Sequence, residues 1–177
     1  VWSTATALPL HVPGEEPTPH EPGSVRFAID ADHLYVAFAF TDRDVVQEAS
    51  EDHQHHYRTG DVAELFLKPA DAPHYWEFYV TPNGLRTGFF YPSRGRQGLP
   101  SNLNPNTGLR VAAAVEGTLN DWRDDDDRWT AEMVVPRAEL DAAGVPFNGS
   151  HAWTVLVGRY NFGRHLPRRE LSSMPHL

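Results

Sequence analysis

The chain has 177 residues, which is enough for one domain with a hydrophobic core and too few for two comfortable ones. Its formal net charge of −9 argues against nucleic acid and against an acidic membrane surface, because both are bound by clustered lysine and arginine. The absence of cysteine excludes disulfides, thiolate zinc sites and cysteine nucleophiles. No apolar run approaches the length of a membrane span, and the amino terminus lacks a signal-peptide pattern, as expected of a mature or excised module.

The first elements in chain order predict a β-rich fold. Fifteen prolines and thirteen glycines divide the chain into short segments. After an irregular lead at 1–22, residues 24–30 and 34–40 alternate apolar and polar side chains around a turn, which predicts a hairpin. Residues 41–59 follow as a long polar connection, and such connections on a rigid scaffold are where ligands usually bind.

Two later strand-like segments, 60–69 and 74–81, each carry acids within an apolar pattern. With a period of two, Glu64 lies on the same strand side as Val62 and Phe66, whereas Glu77 lies between two tyrosines. A short connection makes the segments neighbours in one sheet, so one face would carry two acids among aromatic rings. This composition is typical of a sugar site, because aromatic faces contact C–H patches and carboxylates bind hydroxyls.

The rest of the chain continues the alternation of strands and turns. The predicted elements are a turn at 81–84, a strand at 85–91, a long loop at 92–108, strands at 109–117 and 128–135, a short helix at 136–144, a strand at 152–160 and a tail at 164–177. The whole chain, 1–177, is therefore predicted to be a single all-β domain. Its architecture is an antiparallel, immunoglobulin-like β-sandwich of two sheets with one short helix.

Two clusters of candidate metal ligands lie in loops. His53, His55 and His56, together with His74, could bind zinc or copper, although their spacing matches no defined metal motif and a solvated loop is the alternative. The run of four aspartates at 124–127 is most simply interpreted as a solvated turn. A calcium-binding loop is the more specific alternative.

The order of the motifs resembles the family 9 carbohydrate-binding modules and the wider family-9-like domains, which are related in fold to the DOMON sandwiches. The matching segments cover nearly the whole chain, at 25–27, 34–38, 60–67, 75–80, 82–84, 115–120, 129–136 and 153–159. The resemblance implies a β-sandwich that binds saccharides, often at chain ends and often attached to a glycoside hydrolase. It also implies secretion or a periplasmic location, and a structural calcium in some members.

The resemblance carries over to individual residues only in part. Glu64 occupies the place of the glutamate that contacts the sugar in sugar-binding members. Arg58 stands where an upstream tryptophan is expected, with Tyr57 beside it as a substitute platform. Tyr79 replaces a family arginine, and residues 171–173 replace a second tryptophan. The two tryptophans that clamp a sugar ring are therefore not matched by residues of the same type.

Together these arguments predict a set of ligand-binding residues: Tyr57, Arg58, Asp61, Glu64, Glu77, Tyr79, Asn83 and Arg159. The structural alternative is that Asp61 caps a turn and that Arg159, on a core strand, pairs with Glu64 or Glu77.

Three functions compete at this point. The first is a non-catalytic module that binds a saccharide, needs no cofactor and is associated with a glycan-degrading enzyme. The second is a glycan-active enzyme that uses Glu64 and Glu77 as acid and base. The third is a metal- or haem-binding DOMON-type domain, for which Met133 and Met174 are poorly placed axial ligands.

Overall fold

The computed structural model describes residues 2–14 and 18–176. Single turns of 3-10 helix lie at Trp2–Thr4 and His56–Arg58. The remaining elements in chain order are β1 (Leu8–Pro9), β2 (Gly23–Ile29), β3 (His33–Thr41), β4 (Val62–Pro69), β5 (Tyr75–Val80), β6 (Arg86–Tyr91), β7 (Arg110–Glu116), β8 (Arg128–Pro136), α1 (Arg137–Asp141), β9 (Trp153–Asn161) and β10 (Glu170–Met174).

Within the described residues the strands form two five-stranded antiparallel sheets. Sheet A has the order β1-β2-β3-β8-β7, and sheet B has the order β10-β9-β4-β5-β6. The predicted first hairpin is confirmed as β2 and β3, and the two acid-bearing segments are confirmed as the neighbours β4 and β5. The prediction of an all-β antiparallel sandwich with one short helix is therefore confirmed.

The core lies between the sheets and is built from alternate residues of each strand. Trp76 and Phe78 of β5 are 1% and 0% exposed, and Trp129 of β8 is 0% exposed. Burying an aromatic or aliphatic side chain of this size contributes roughly 1.5–3 kcal/mol, so alternation along the strands determines which face turns inward. The short helix α1 covers one end, where Glu139 accepts a hydrogen bond from Trp76 Nε1 at 3.1 Å. No helix in the described part of the chain is long and apolar enough to cross a membrane.

Both chain ends contribute more structure than predicted. The irregular lead supplies the short edge strand β1, and the tail supplies β10, which pairs with β9. Their backbones also join the sheets, because His11 and Ser173 exchange N–H···O=C hydrogen bonds of 2.8 and 2.7 Å. Segments this short carry too little alternation to be recognised as strands, and their pairing partners are distant in the chain.

Arg159 is an internal residue of the sandwich, which corrects two predictions. It is 1% exposed, and its Nη2 donates to Asp42 Oδ2 at 2.9 Å. Its Nη1 donates to the carbonyl oxygen of Glu21 at 2.9 Å, and its Cζ lies 4.7 Å from the ring centroid of Phe40. Arg159 therefore pairs with Asp42 rather than with either predicted glutamate, and it points away from the predicted ligand-binding face, because odd-numbered residues of β9 face the core.

Replacing Arg159 with alanine should destabilise the fold strongly. The change leaves the Asp42 carboxylate buried without its cation, and removing one partner of a buried ion pair costs about 3–5 kcal/mol. Arg128→Ala, which breaks the exposed pair with Glu116, is the matched control and should change stability far less. Urea unfolding measures both, and equal losses would contradict the structural role of Arg159.

Candidate functional site

The outer face of sheet B carries both predicted glutamates. In the β4–β5 pair, Glu64 lies opposite Tyr79 and Phe66 lies opposite Glu77. Because side chains alternate between faces, these four residues share the face turned away from the core. Glu64 and Glu77 are therefore diagonal neighbours on adjacent strands, as the sequence predicts, and diagonal side chains of this length are within reach of one another.

Aromatic rings from four other positions surround the two acids. Strand β6 contributes Phe89 and Tyr91, strand β9 contributes Tyr160, and the His56–Arg58 turn contributes Tyr57. The Tyr57 ring centroid lies 5.3 Å from that of Tyr160 and 6.5 Å from that of Tyr79, so Tyr57 bridges strands on either side of β4. We refer to the whole set as the acid–tyrosine face; it comprises Tyr57, Glu64, Glu77, Tyr79, Phe89, Tyr91 and Tyr160.

The two acids lack compensating charge. Glu64 is 4% exposed, and its Oε1 is buried without a hydrogen-bond partner. Glu77 is half-buried and accepts a hydrogen bond from the Tyr79 hydroxyl at 3.0 Å. Among the described residues, no lysine, arginine or histidine forms an ion pair with either acid.

Burial dominates the protonation of these groups. It raises the pKa of Glu64 to about 8, and the negative charge of Glu77 acts in the same direction. Burial also raises the pKa of Glu77, and it raises the pKa of the Tyr79 hydroxyl, which both carboxylates raise further. At neutral pH Glu64 therefore holds its proton, since a second negative charge would be poorly solvated there.

A glycine opens space beside the more deeply buried acid. Gly158 of β9 pairs with Glu64 across the strands. A Cβ placed on Gly158 would lie 3.6 Å from Glu64 Oε2 and 3.9 Å from the ring of Phe66. These are ordinary van der Waals distances, so the missing side chain leaves room for atoms of a ligand next to the carboxyl group.

Two hollows flank the acid–tyrosine face. One has a volume of about 420 Å³ and is lined by His53, His55, Phe89, Tyr91, Arg96, Ser101, Asn102 and Leu103. The other has a volume of about 300 Å³ and is lined by Phe66, Lys68, Tyr75, Thr154, Val155, Leu156 and Pro175. Their aromatic linings adjoin Glu77 on both sides, because Phe89 pairs with Glu77 across β5 and β6 and Phe66 pairs with it across β4 and β5.

Asp61 and Asn83, both predicted to bind ligand, hold the loop at 41–59 in place instead. The Asp61 carboxylate is fully buried and accepts the backbone N–H groups of Val46 and Phe162 at 2.7 and 2.6 Å. Burial raises the pKa of Asp61 well above its ordinary value, and the charge of nearby Asp42 adds to this effect. Asn83 donates from Nδ2 to the Ala49 carbonyl oxygen at 2.8 Å.

Arg58 lies at the edge of the acid–tyrosine face. It is exposed, and its Cζ lies 5.5 Å from the ring centroid of Tyr57. Of the eight predicted residues, four therefore come together on one surface, one lies at its rim, and three make structural contacts elsewhere. The four that meet are Tyr57, Glu64, Glu77 and Tyr79.

The sequence argument missed three members of the face, Phe89, Tyr91 and Tyr160, and the neighbouring Gly158. Alternation along the predicted strand 85–91 places Phe89 and Tyr91 on one side, which was the available signal. Tyr160 follows a core-facing arginine and so must point outward. Gly158 carries no pattern of its own, and its role depends on the β4–β9 pairing.

The three histidines do not converge on a metal site. Both ring nitrogens of His56 have protein partners, with Nε2 3.0 Å from the Glu51 carbonyl oxygen and Nδ1 3.1 Å from Thr87 Oγ1. The His55 ring stacks on Phe89 with centroids 5.0 Å apart. Across residues 2–14 and 18–176, no group of three or more metal-ligating side chains is found, and His53 joins none.

Two aspartates of the run at 124–127 make structural contacts within the protein. The Asp126 carboxylate accepts the backbone N–H groups of Val45 and Thr118 at 2.7 and 2.6 Å. Asp125 binds Arg43, Arg164 and His165. These residues do not fit a calcium site, so structural calcium stays a prediction that has no ligand set in the described chain.

The comparison with known proteins identifies the fold. No family model matches the sequence, and no curated protein matches it. Among solved structures, a Bacteroides uniformis protein provisionally described as carbohydrate-binding superposes with a TM-score of 0.77 at 16% identity, covering 99% of this chain and 79% of that one. A family 9 carbohydrate-binding module from Caldicellulosiruptor kristjanssonii, in complex with cellotriose, gives a TM-score of 0.57 at 14% identity. The chain has the fold of the family 9 carbohydrate-binding modules.

That likeness extends along nearly the whole chain. The cellotriose complex covers 98% of this chain and 74% of the other, and a glucose complex of a family 9 module from the same organism covers 98% and 75% with a TM-score of 0.56. At these identities the family 9 fold is what the comparison establishes.

Replacing Glu64 with glutamine should change the pH dependence of stability. The folded-state pKa of about 8 exceeds the ordinary value of 4.5, so the contribution of Glu64 is fully present below pH 4.5 and is lost as the pH rises through 8. Glutamine stays neutral, so Glu64→Gln should gain roughly 2–4 kcal/mol relative to the wild type between pH 5 and pH 8.5.

Urea unfolding at several pH values measures this difference. Glu116→Gln, on the other sheet and exposed, is the matched control and should show no comparable gain. A Glu64→Gln difference that stays constant across the range would contradict the raised pKa.

Proposed function

We propose that the chain is a non-catalytic module that binds a saccharide at the acid–tyrosine face. The observation that carries the proposal is the placement of Glu64 and Glu77 on one outer face of sheet B, without an ion pair to any described residue and beside five aromatic rings. The neighbouring solved structures support it, since two of them hold cellotriose and glucose.

The chemistry of the face suits a sugar ring. A pyranose presents C–H patches to aromatic rings and hydroxyl groups to polar side chains. Tyr57 and Tyr160 offer half-buried ring surface, and Glu64 Oε1 offers an acceptor that no protein donor uses. The gap at Gly158 leaves space beside the other oxygen of the same carboxyl group, Oε2. These groups lie on regular strands and a pinned turn, so little ordering is required on binding.

Filling the gap at Gly158 should block binding without unfolding the protein. Gly158→Leu projects a side chain over Glu64 and should weaken saccharide binding by more than about tenfold, equivalent to about 1.4 kcal/mol. Gly158→Ala adds one methyl group at ordinary contact distances and is the matched control, with a smaller loss.

Isothermal titration against mono- and oligosaccharides measures both variants and the wild type. Absence of heat with every sugar at millimolar concentration, from wild-type protein that is folded, would overturn the proposal. If Gly158→Leu and the wild type bound saccharide with equal affinity, the binding site would not lie on this face.

We further propose that the module is secreted or periplasmic and works beside a glycan-degrading enzyme. The support for this is the resemblance of the motif order to the family 9 modules, which are often attached to glycoside hydrolases.

A glycan-active enzyme is the second candidate, favoured by one observation. The pKa of Glu64, at about 8, keeps it protonated at neutral pH, as a general acid requires, while Glu77 accepts a hydrogen bond from Tyr79. If this candidate holds, Glu64→Gln should lower glycan turnover by at least about a hundredfold. Unchanged glycan turnover in Glu64→Gln would exclude a catalytic role for Glu64.

A further inference from the structure

We infer that the saccharide recognised at the acid–tyrosine face carries a protonated amine, as an amino sugar does. The inference rests on the proposed function and adds the chemical class of the ligand. It follows from three features of the face: two acids that form no ion pair within the described residues, no amide or guanidinium group bonded to them, and buried or half-buried tyrosine rings beside them.

The first feature is that no cationic side chain in the described part of the chain forms an ion pair with these acids. Lys68 Nζ, on β4, donates to the carbonyl oxygens of Pro69 and Ala70. Arg58 and Arg169 lie at the rim of the face, over the rings of Tyr57 and Tyr160, with their Cζ atoms 5.5 and 5.0 Å from the ring centroids. Two buried or half-buried carboxyl groups side by side are unfavourable unless a proton or a cation joins them. A ligand ammonium group is such a cation.

The second feature is that neither acid accepts a hydrogen bond from an amide or guanidinium group in any contact found for the described residues. Sites for neutral sugars usually combine carboxylates with amide or guanidinium groups, because each hydroxyl both donates and accepts. Here Asn83 and Arg159, the amide and guanidinium expected from the sequence, are bonded to Ala49 and Asp42 instead. Apart from the arginines over Tyr57 and Tyr160, the polar groups of the face are carboxyl and tyrosine oxygens, and the Tyr79 hydroxyl already donates to Glu77. A group with three N–H donors and no acceptor, which is an ammonium, matches this surface best.

The third feature is the arrangement of the tyrosines. Tyr57 packs against Tyr79 and Tyr160, and Tyr79 packs against Phe89 with centroids 5.3 Å apart. Rings grouped beside carboxylates attract cations through the negative charge of their faces, an effect strengthened where water is excluded. Glu64 Oε1, buried and unpartnered, points to the same side of the sheet and is the acceptor that this cation would satisfy.

The experiment compares three oligosaccharides of equal length with wild-type protein at pH 7: a β-1,4-linked glucosamine oligomer, its fully N-acetylated counterpart and the corresponding glucose oligomer. Isothermal titration should show the amine ligand binding at least about tenfold more tightly than the other two, because hydrogen bonds to charged groups contribute about twice as much as neutral ones. The glucose oligomer reports the proposed function separately.

Glutamine variants of the two acids test whether the ammonium group of the ligand binds to them. Glu64→Gln and Glu77→Gln should each reduce the preference for the amine to within about threefold of the glucose oligomer, while Glu116→Gln on sheet A keeps the full preference. Glu64 holds a proton in the free protein at pH 7, so the ammonium should displace it. Titration in two buffers of different ionisation enthalpy should then show proton release with the amine ligand, and less release in Glu64→Gln.

The outcomes separate the two proposals. Binding of the glucose or N-acetylated oligomer as tightly as the amine would overturn the inference and leave saccharide binding intact. Binding of none of the three would overturn both. An amine preference that survives in both glutamate variants, with thermal unfolding showing them folded, would also overturn the inference.

Discussion

The register between β4 and β5 is the constraint on which the face depends. Leu65 and Phe78 are fully buried on the inner side of these strands, so their burial determines how the two strands align. A slip of either strand by one residue would turn the glutamate of that strand into the core and its large apolar side chains outward. The hydrophobic core therefore positions the polar site, and the acids lie together because the apolar residues beside them cannot be exposed.

Arg159 and Glu64 are both buried, but of the two only Arg159 forms an ion pair within the described residues. Arg159 forms an ion pair with Asp42 and donates to two backbone carbonyl groups through its Nη atoms, and only its Nε has no partner. Glu64, on the other side of the same sheet, keeps one oxygen without a partner. Buried polar groups are nearly always satisfied, so a buried carboxyl group without an ion pair, beside the aromatic rings of sheet B, is the observation on which the proposed binding surface rests.

The loop at 41–59 completes that surface by bringing Tyr57 over β4. Gln47 is buried and joins the loop to itself, since its Oε1 accepts from Ala49 N and from Thr59 Oγ1. Gly60 has a φ of +150°, and a Cβ there would lie 2.1 Å from the Val46 carbonyl oxygen, so the close approach of loop and strand requires glycine. These contacts hold a rigid aromatic ring at a position that strand pairing alone would leave empty.

The sequence by itself determined most of the strands, the first hairpin and the placement of Glu64, Glu77 and Tyr79 on one side, because alternation is a local property that burial enforces. The resemblance to the family 9 modules also pointed to Tyr57. The tertiary structure alone decided that Tyr91 and Tyr160 meet these acids, that Arg159 pairs with Asp42 in the core and that Asn83 binds the loop instead. Those contacts join strands and loops far apart in the chain, and their geometry follows from pairing and loop packing that no local pattern encodes.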